Sequence, residues 1–450
     1  MTMWILLAAG LTAFSSSYAK AVTEQPLSLR HAIEVAIARS PQLESARRQA
    51  EARVFERRSA FAKLLPTLDL AATHGLQNNV PIASNNAYLA SNPSAPWYSS
   101  LSLALSETLY DNGVSLTDWG NAERQEAISA IQREKAIAEL KLKVGQEFVR
   151  YSAAKHVADF KRKQLELMQA QYTKIEAQFR QGFRLPADFL RIKAQVQRAE
   201  IDVINADTVA ANLRVDLLKV LGVDEAGQSE IQFRAMDLVS NSDRLGKWRP
   251  LDSVLTSVQE HYDFRVGRLQ EEVAKTQVTL AERRYYPRIQ VTGGLTYSNF
   301  GYVGSSQAFS ASNQMTWNAL VTVSHNFWDW GIRKNDIAVA QATQDASISA
   351  IRATRQDLVA QSLQLQQDRR RLLENHRLAE ALVGMEEAST RDIEHAYREG
   401  RATYLDLSSG YSNVLDARVG LVQVRSAVLQ SELKSLYLEG KLHEVDFDGT

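Results

Sequence analysis

A duplicated pair of long, proline-free segments most constrains what this sequence can fold into. Gly113 and Gly182 enclose 182 − 113 − 1 = 68 residues, and Gly331 and Gly400 enclose the same number. Both segments lack proline, which would break a helix, and both are rich in good helix formers. At 1.5 Å per residue each segment would form a helix of roughly 100 Å, a length typical of coiled coils and helical barrels.

Three motifs occur once in each half of the chain, in the same order. They are Leu65–Leu70 with Tyr286–Val291, Leu109–Gly113 with Phe327–Gly331, and Phe179–Gly182 with Tyr397–Gly400. The last two pairs share the offset 331 − 113 = 400 − 182 = 218. The spacing predicts a duplicated unit of about 220 residues. We assign residues 22–249 to the first structural repeat and 250–450 to the second.

Each half also contains two runs in which apolar and polar residues alternate. The apolar positions are Leu68, Leu70 and Ala72; Leu101, Leu103 and Leu105; Ile289, Val291 and Leu295; and Trp317, Ala319, Val321, Val323 and Phe327. Period two over about ten residues is typical of outer-membrane barrel strands. A soluble antiparallel sheet with one wet face has the same alternation, and Glu107 interrupts the second run.

The surroundings of these runs favour a membrane. Aromatic residues cluster at their ends, as in interfacial girdles, and the connections at about 79–99 and 300–315 are predicted as long exposed loops. Four strands cannot close a barrel, and an open sheet edge in lipid leaves backbone groups unsatisfied. Several chains would therefore have to share one barrel.

The first 21 residues are predicted to be a signal peptide. Trp4–Phe14 is a short apolar core, and small residues with an A-x-A pattern follow at Ala19–Ala21. Lys+Arg and Asp+Glu both number 52, so no excess of positive charge indicates nucleic acid as a partner.

The sequence shows no constellation for catalysis, a cofactor or a metal. There is no cysteine, and the eight histidines form no H-E-x-x-H pair. No Gly-rich phosphate loop and no G-x-S-x-G motif occurs. We therefore expect no enzymatic activity.

Several short motifs together resemble the TolC-like outer membrane factors of Gram-negative bacteria. They are the opening Leu27–Ala36 followed by Ser40–Leu43, the pair Leu65-Pro66 before the first strand, and Tyr397-x-x-Gly400 followed by Asp406. Their order, spacing and duplication cover nearly the whole chain, about residues 25–445.

The resemblance implies a mainly α fold with a small β part. A long α-helical barrel would continue into a trimeric, twelve-stranded transmembrane β-barrel with four strands per chain. The shorter segments, about 27–65, 185–222, 250–286 and 402–441, would lie alongside the two long helices, and residues 223–249 would form an equatorial belt.

The resemblance also implies passive conduction through the outer membrane and the periplasm. The expected partners are two further copies of the chain, outer-membrane lipid, a periplasmic adaptor protein, and an inner-membrane pump or ABC transporter. Drug efflux, metal efflux and type I protein secretion all remain open as functions. No cofactor is implied.

Gating residues of the family lie beside the helical-hairpin turns, here Gly182 and Gly400. Matching positions carry Asp188, Asp406 and Tyr397. A family arginine position holds Ala402, with Arg401 beside it, and a second aspartate position holds Ser409. One aspartate per chain near a threefold axis would favour cations, and the converging carboxylates would raise each other's pKa. Alternatively, an acid in the first helical turn only stabilises the helix dipole.

Two other classes of protein compete with a channel. A periplasmic coiled-coil adaptor or scaffold protein would also contain long helical hairpins, and an exported enzyme would need a clustered site. The four strands discriminate between these classes. If they face lipid, aspartate at Val321 and Val323 should block membrane insertion.

Overall fold

The computed structural model describes residues 26–75, 97–183, 185–223, 231–236, 238, 258–303 and 309–443, which group into two compact units. The first unit contains the described residues up to Arg48, those within Ile131–Arg265 and those from Arg352 onward. The second contains those within Gln49–Ala130 and Val266–Ile351. The signal peptide at 1–21 and the repeat boundary at 249/250 lie outside the described residues and stay predictions.

The described residues form seven α-helices and four β-strands. In chain order these are α1 (Leu29–Arg39), α2 (Pro41–Ala62), β1 (Thr67–Gly75), β2 (Trp97–Tyr110), α3 (Val114–Arg180), α4 (Pro186–Val220), α5 (Tyr262–Arg283), β3 (Arg288–Val303), β4 (Phe309–Ser324), α6 (Ile332–Arg398) and α7 (Tyr404–Leu438). Helices α3 and α6 have 67 residues each, and α4 and α7 have 35 each. The predicted long helices are confirmed.

Both long helices begin at the same kind of turn after a strand. Asp111 and Asp329 each accept hydrogen bonds from the backbone N–H groups two and four residues later, at 2.8 to 3.0 Å. The next residues, Asn112 and Trp330, have left-handed backbones with φ of 59° and 55°. Asparagine tolerates this conformation, whereas a bulky tryptophan is strained in it. The repeated Asp-x-Gly motif is therefore a helix cap whose second copy holds a strained tryptophan.

The segment predicted at 27–65 contains two helices. Ser40 has an extended backbone, with ψ of 116°, between the end of α1 and the start of α2. Pro41 explains the break, because the ring of a proline disfavours helical geometry in the residue before it. Proline itself is well suited to the first position of α2.

The four strands form one antiparallel sheet in the order β1-β2-β3-β4. Its register places Leu70, Leu103, Leu295 and Trp317 in one row across all four strands. Because side chains alternate along a strand, the predicted apolar positions of β1, β2 and β3 share one face with those of β4.

The predicted loop at 300–315 is largely strand. β3 continues to residue 303 and β4 starts at residue 309, with pairing along both. Asn313 of this stretch pairs with Asn299 of β3, whose Nδ2 donates to Asn313 Oδ1 at 2.5 Å. Composition alone predicted a loop because small and polar residues are common in loops. Polar side chains can also hydrogen-bond to each other across paired strands.

The core of the first unit packs α1 against α3 and α4. The fully or nearly buried side chains include Leu29, Ile33, Val144, Phe148, Leu217 and Leu221. Phe233 joins them, with its ring centroid 6.3 Å from that of Phe148 and 5.6 Å from that of Tyr151. Leu27 exchanges backbone hydrogen bonds of 2.8 and 3.0 Å with the residues on either side of Phe233. The described part of the predicted equatorial belt is thus fixed to this core.

A buried arginine joins three parts of the first unit. Arg425 of α7 is 6% exposed and donates from Nε to His376 Nε2 at 3.1 Å and from Nη1 to the Leu238 carbonyl at 2.7 Å. Its Nη2 donates to Glu380 Oε1 at 3.2 Å. Since Nε carries a hydrogen, His376 must accept at Nε2 and is neutral. Burial, reinforced by the Arg425 charge, lowers the pKa of His376.

We expect stability to fall as the pH drops below the ordinary histidine pKa of 6.5. Burial lowers the folded-state pKa of His376 and of His261. The unfolded chain then binds protons that the folded chain does not, so stability is fully present above pH 6.5 and is lost below it. Thermal melts at about pH 7.5 and 5.5 would measure the loss. His376→Gln keeps an acceptor without titrating and should lose less. An equal loss in both proteins would contradict this role of His376.

Candidate channel gate and membrane face

Each helical hairpin turns at a glycine with left-handed backbone. Gly182, with φ of 80°, follows α3, and Gly400, with φ of 75°, follows α6. Their N–H groups donate to the carbonyls of Phe179 at 2.9 Å and of Tyr397 at 3.1 Å. Both long helices thus end in the same way, by a residue in a conformation that favours glycine.

Asp406 lies in the first turn of α7 and forms a capping box with Thr403. Asp406 N–H donates to Thr403 Oγ1 at 3.2 Å, and Thr403 N–H donates to Asp406 Oδ2 at 2.9 Å. The Thr403 hydroxyl also donates to Oδ2, at 2.7 Å. The hydrogen bonds from the Thr403 side chain and backbone lower the pKa of Asp406. In the single chain this exposed carboxylate is therefore a helix-capping group and a fixed negative charge.

Asp188 lies in the corresponding first turn of α4 but has a different setting. Helix α4 begins at Pro186, and its N-cap residue, Leu185, has no side chain able to cap the helix. Asp188 is half-buried, and its backbone N–H donates to the Leu185 carbonyl at 3.1 Å. An acid here favourably faces the positive end of the helix dipole.

Tyr397 and Arg401 flank the second hairpin turn. Tyr397 is half-buried in the last turn of α6, whereas Arg401 is exposed. The Arg401 guanidinium pairs with Glu399, two residues away on the same turn. In the single chain this ion pair is local and exposed, so it stabilises the fold little.

Sequence reasoning missed the hydrogen bond between Tyr404 and Gln195. The Tyr404 hydroxyl, at the start of α7, donates to Gln195 Oε1 of α4 at 2.8 Å, across a separation of 209 residues. Burial raises the pKa of Tyr404, so the hydroxyl stays protonated as a donor. No local pattern indicates this pair. The bond ties the two hairpins together close to the predicted gate residues.

One face of the sheet is apolar and bare. In the row of Leu70, Leu103, Leu295 and Trp317 the exposed fractions are 70, 39, 39 and 79%. The opposite face carries mainly Ser, Thr, Ala and Asn. Phe327, predicted as part of the apolar face of β4, lies instead beyond its end at Ser324. Such a face is stable only against lipid or another apolar surface.

Glu107 is the one charged residue on the apolar face within the described strands. Its register partner is Val291, which pairs in turn with Val321. The row lies towards the end of the sheet from which α3 and α6 continue. A charge is tolerated best near the membrane surface, where water and headgroups are within reach.

Neither a membrane-spanning helix nor a metal cluster emerges from the described residues. No helix among them combines the length and apolar character needed to cross a bilayer. No group of three or more His, Cys, Asp or Glu side chains in that part of the chain could hold a metal ion.

The fold is similar to that of solved outer-membrane channels. The outer membrane protein VceC of Vibrio cholerae superposes with a TM-score of 0.74 and 17% identity, over 92% of this chain and 96% of that one. CmeC of Campylobacter jejuni gives 0.75 and 15%, over 92% and 85%. The open state of MtrE of Neisseria gonorrhoeae gives 0.73 and 19%, over 92% and 89%. Comparison with curated proteins found no match.

The solved structures show the fold of the chain, and its sequence shows the class of protein. The sequence pattern of the outer membrane efflux proteins matches residues 32–223 and 256–437, and the chain belongs to that family. The resemblance read from its motifs is confirmed. So is the fold class, a helical barrel that continues into a β-barrel shared by three chains.

Family membership also establishes the cellular location of the protein and its functional class. It lies in the outer membrane, extends into the periplasm, and is an efflux channel. Family members are passive channels rather than enzymes. The adaptor or scaffold alternative is therefore not supported.

Proposed function

We propose that this protein is a trimeric channel-tunnel that passively conducts substrates from an inner-membrane pump and a periplasmic adaptor to the cell exterior. The four-stranded sheet with its bare apolar face carries this proposal. Four strands leave two open edges, and in lipid those edges are satisfied only when copies of the chain close one barrel. Three chains then supply twelve strands.

The cargo class depends on the pump rather than on this chain. Drug efflux, metal efflux and type I protein secretion are all compatible with a passive duct. A strain lacking the protein, tested for drug and metal tolerance and for secreted protein, would assign the class.

Membrane fractionation with an alkaline carbonate wash, followed by native mass measurement of the detergent extract, tests the assembly. We expect the protein in the outer-membrane fraction with three chains per particle. A protein that washes off, or that is extracted as a monomer or dimer, would overturn the proposed channel-tunnel.

We further propose that Asp188, Asp406, Tyr397 and Arg401 form the periplasmic gate, with hairpin turns at Gly182 and Gly400. The position of both aspartates in first helical turns beside these hairpin turns supports the proposal. In a trimer, each aspartate position would supply three carboxylates to one level of the tunnel. Because Arg401 pairs locally with Glu399, we assign selectivity to the aspartates rather than to an arginine lock.

We expect Asp406→Gln to reduce the cation preference of the closed channel. Glutamine at this position can keep the capping box, so the change removes the charge while the start of α7 persists. Reversal potentials of single channels in planar bilayers under a KCl gradient would measure the preference.

Thr403→Val is the matched control for Asp406→Gln. It keeps the carboxylate but removes the hydroxyl cap, and loss of such a cap lowers stability by about 1 kcal/mol. Selectivity should stay near that of the unmodified protein. Unchanged selectivity in Asp406→Gln would leave Asp406 as a helix-capping residue only.

A further inference from the structure

Exposed aromatic and cationic side chains surround the turn between β4 and α6. Phe327, Trp328 and Trp330 are 90, 68 and 87% exposed. The rings of Trp328 and Trp330 meet edge to face, with centroids 5.7 Å apart. Arg333 and Lys334, both exposed, follow in the first turn of α6. These five residues are the junction patch.

The two cations occupy a position that a helix disfavours. The N-terminal end of a helix carries partial positive charge, and α6 has no acidic residue in its first turn. The acid at this end is Asp329, just before the helix, whose carboxylate accepts the backbone N–H groups of Gly331 and Arg333. Neither Arg333 nor Lys334 forms an ion pair with any described residue. The Arg333 guanidinium instead lies 5.7 Å from the ring centroids of Tyr285 and Tyr286. The Arg333 charge therefore lies near two aromatic rings, and both cations are exposed.

The equivalent turn of the first repeat lacks this composition. Ser115 takes the place of Arg333, and its hydroxyl donates to Asp111 at 2.5 Å, which completes the helix cap. Asn112 takes the place of Trp330 in the same left-handed conformation. Asn and Ser at these positions are therefore sufficient to form the turn. Strained residues that persist at such positions often serve a function.

The neighbourhood of the patch indicates its occupant. Val321 and Val323, on the apolar face of β4, lie six and four residues before Phe327 of the patch and are 70 and 65% exposed. The patch therefore continues the lipid-facing surface at the end from which α6 leaves. Tryptophan rings prefer the headgroup level of a bilayer, and Arg and Lys pair with anionic lipid headgroups there.

We propose that the junction patch binds the phosphate headgroup of an anionic phospholipid at the periplasmic surface of the outer membrane. This rests on the proposed membrane-spanning trimer and adds one lipid site per chain to it. The rings anchor the turn at the headgroup level, and Arg333 and Lys334 supply the charge that selects an anionic lipid.

The test is native mass spectrometry of detergent-purified trimers titrated with phosphatidylglycerol and, separately, with phosphatidylcholine. We expect trimers to retain phosphatidylglycerol preferentially. Each cation at an anionic lipid surface contributes about fivefold in affinity, so Arg333→Gln with Lys334→Gln should weaken retention about 30-fold. Trp330→Asn, which copies the first turn, should weaken retention of both lipids.

Arg352→Gln with Arg355→Gln is the matched control, because both residues are exposed on the same helix away from the patch. It should retain phosphatidylglycerol like the unmodified protein. Equal retention by the Arg333/Lys334 variant, or an equal loss in the control, would overturn the proposal.

Two further outcomes are distinguishable. If the Arg333/Lys334 variant loses the trimer while lipid retention per chain is unchanged, a second copy covers the patch and the lipid site is wrong. The proposed channel function fails separately, when the unmodified protein is not a trimer in the outer membrane.

Discussion

Aspartate at Val321 and Val323 is expected to prevent assembly into the outer membrane. Both side chains point from the apolar face and are 70 and 65% exposed in the chain. A lipid-facing charge costs most at the bilayer midplane, about 2–4 kcal/mol for Lys or Arg, and less for Asp and less towards the surface. Summed over six added carboxylates per trimer, even the smaller cost becomes large relative to the net stability of a typical protein, about 5–15 kcal/mol. Fractionation and native mass would show unassembled protein in the periplasm.

The opposite face of the same strand supplies a matched control. Leu320 and Thr322 alternate with the tested positions along β4 and point to the other side of the sheet. Leu320→Asp with Thr322→Asp adds the same charge to the surface that would line the barrel interior. These trimers should assemble, and normal assembly of both double variants would refute the assignment of the lipid face.

The position of Glu107 allows the same test to be made at two depths in the membrane. Because Val321 shares the row of Glu107, one charge per chain is already tolerated there. Leu295 lies two rows further from the helices on the same face. We expect Leu295→Asp to impair assembly more than Val321→Asp alone, since the depth-dependent penalty is largest near the midplane.

Arg425→Ala is expected to destabilise the first unit severely. The substitution leaves His376, Glu380 and the Leu238 carbonyl without the donor that each uses. Removing one partner of a buried charged network costs about 3–5 kcal/mol. Melting temperature and hydrogen exchange of the segment at 231–238 would report the loss, and that segment should lose protection first.

Arg418→Ala is the control for Arg425→Ala, because Arg418 also joins α7 to α6. Its guanidinium pairs with Glu387 at 2.6 Å, but the two side chains are 44 and 36% exposed. Such pairs contribute about 0.2–1 kcal/mol. Similar losses in the two variants would mean that the buried network has no special role.

Much of the fold could be predicted from local signals. Proline-free segments between Gly113 and Gly182, and between Gly331 and Gly400, predicted the two 67-residue helices. The preference of a residue for a helix, and that of glycine for a left-handed backbone, depend only on nearby residues. Both can therefore be read directly from the sequence. Composition misled where a local rule had two outcomes, as in the polar stretch at 300–315, whose described residues up to 303 and from 309 pair as strand.

The candidate site was predicted less completely. The sequence placed Asp406 beside a hairpin turn, but its hydrogen bonds with Thr403 appear only in the structure. The pattern T-x-x-D is close to that of a capping box. The motif alone does not show whether the two side chains form the reciprocal hydrogen bonds with the backbone. No sequence pattern predicted the hydrogen bond between Tyr404 and Gln195.

The sequence alone determined the duplication, the long helices, the alternating strands and hence the need for several chains in one barrel. These follow from periodicity and turn chemistry, which are properties of neighbouring residues. Only the tertiary structure decided that one row of the sheet contains Leu70 and Trp317, and that Arg425 reaches Leu238 across 187 residues. Such pairings depend on how segments that are far apart in the sequence pack together. A pattern of neighbouring residues does not show which distant residues will meet.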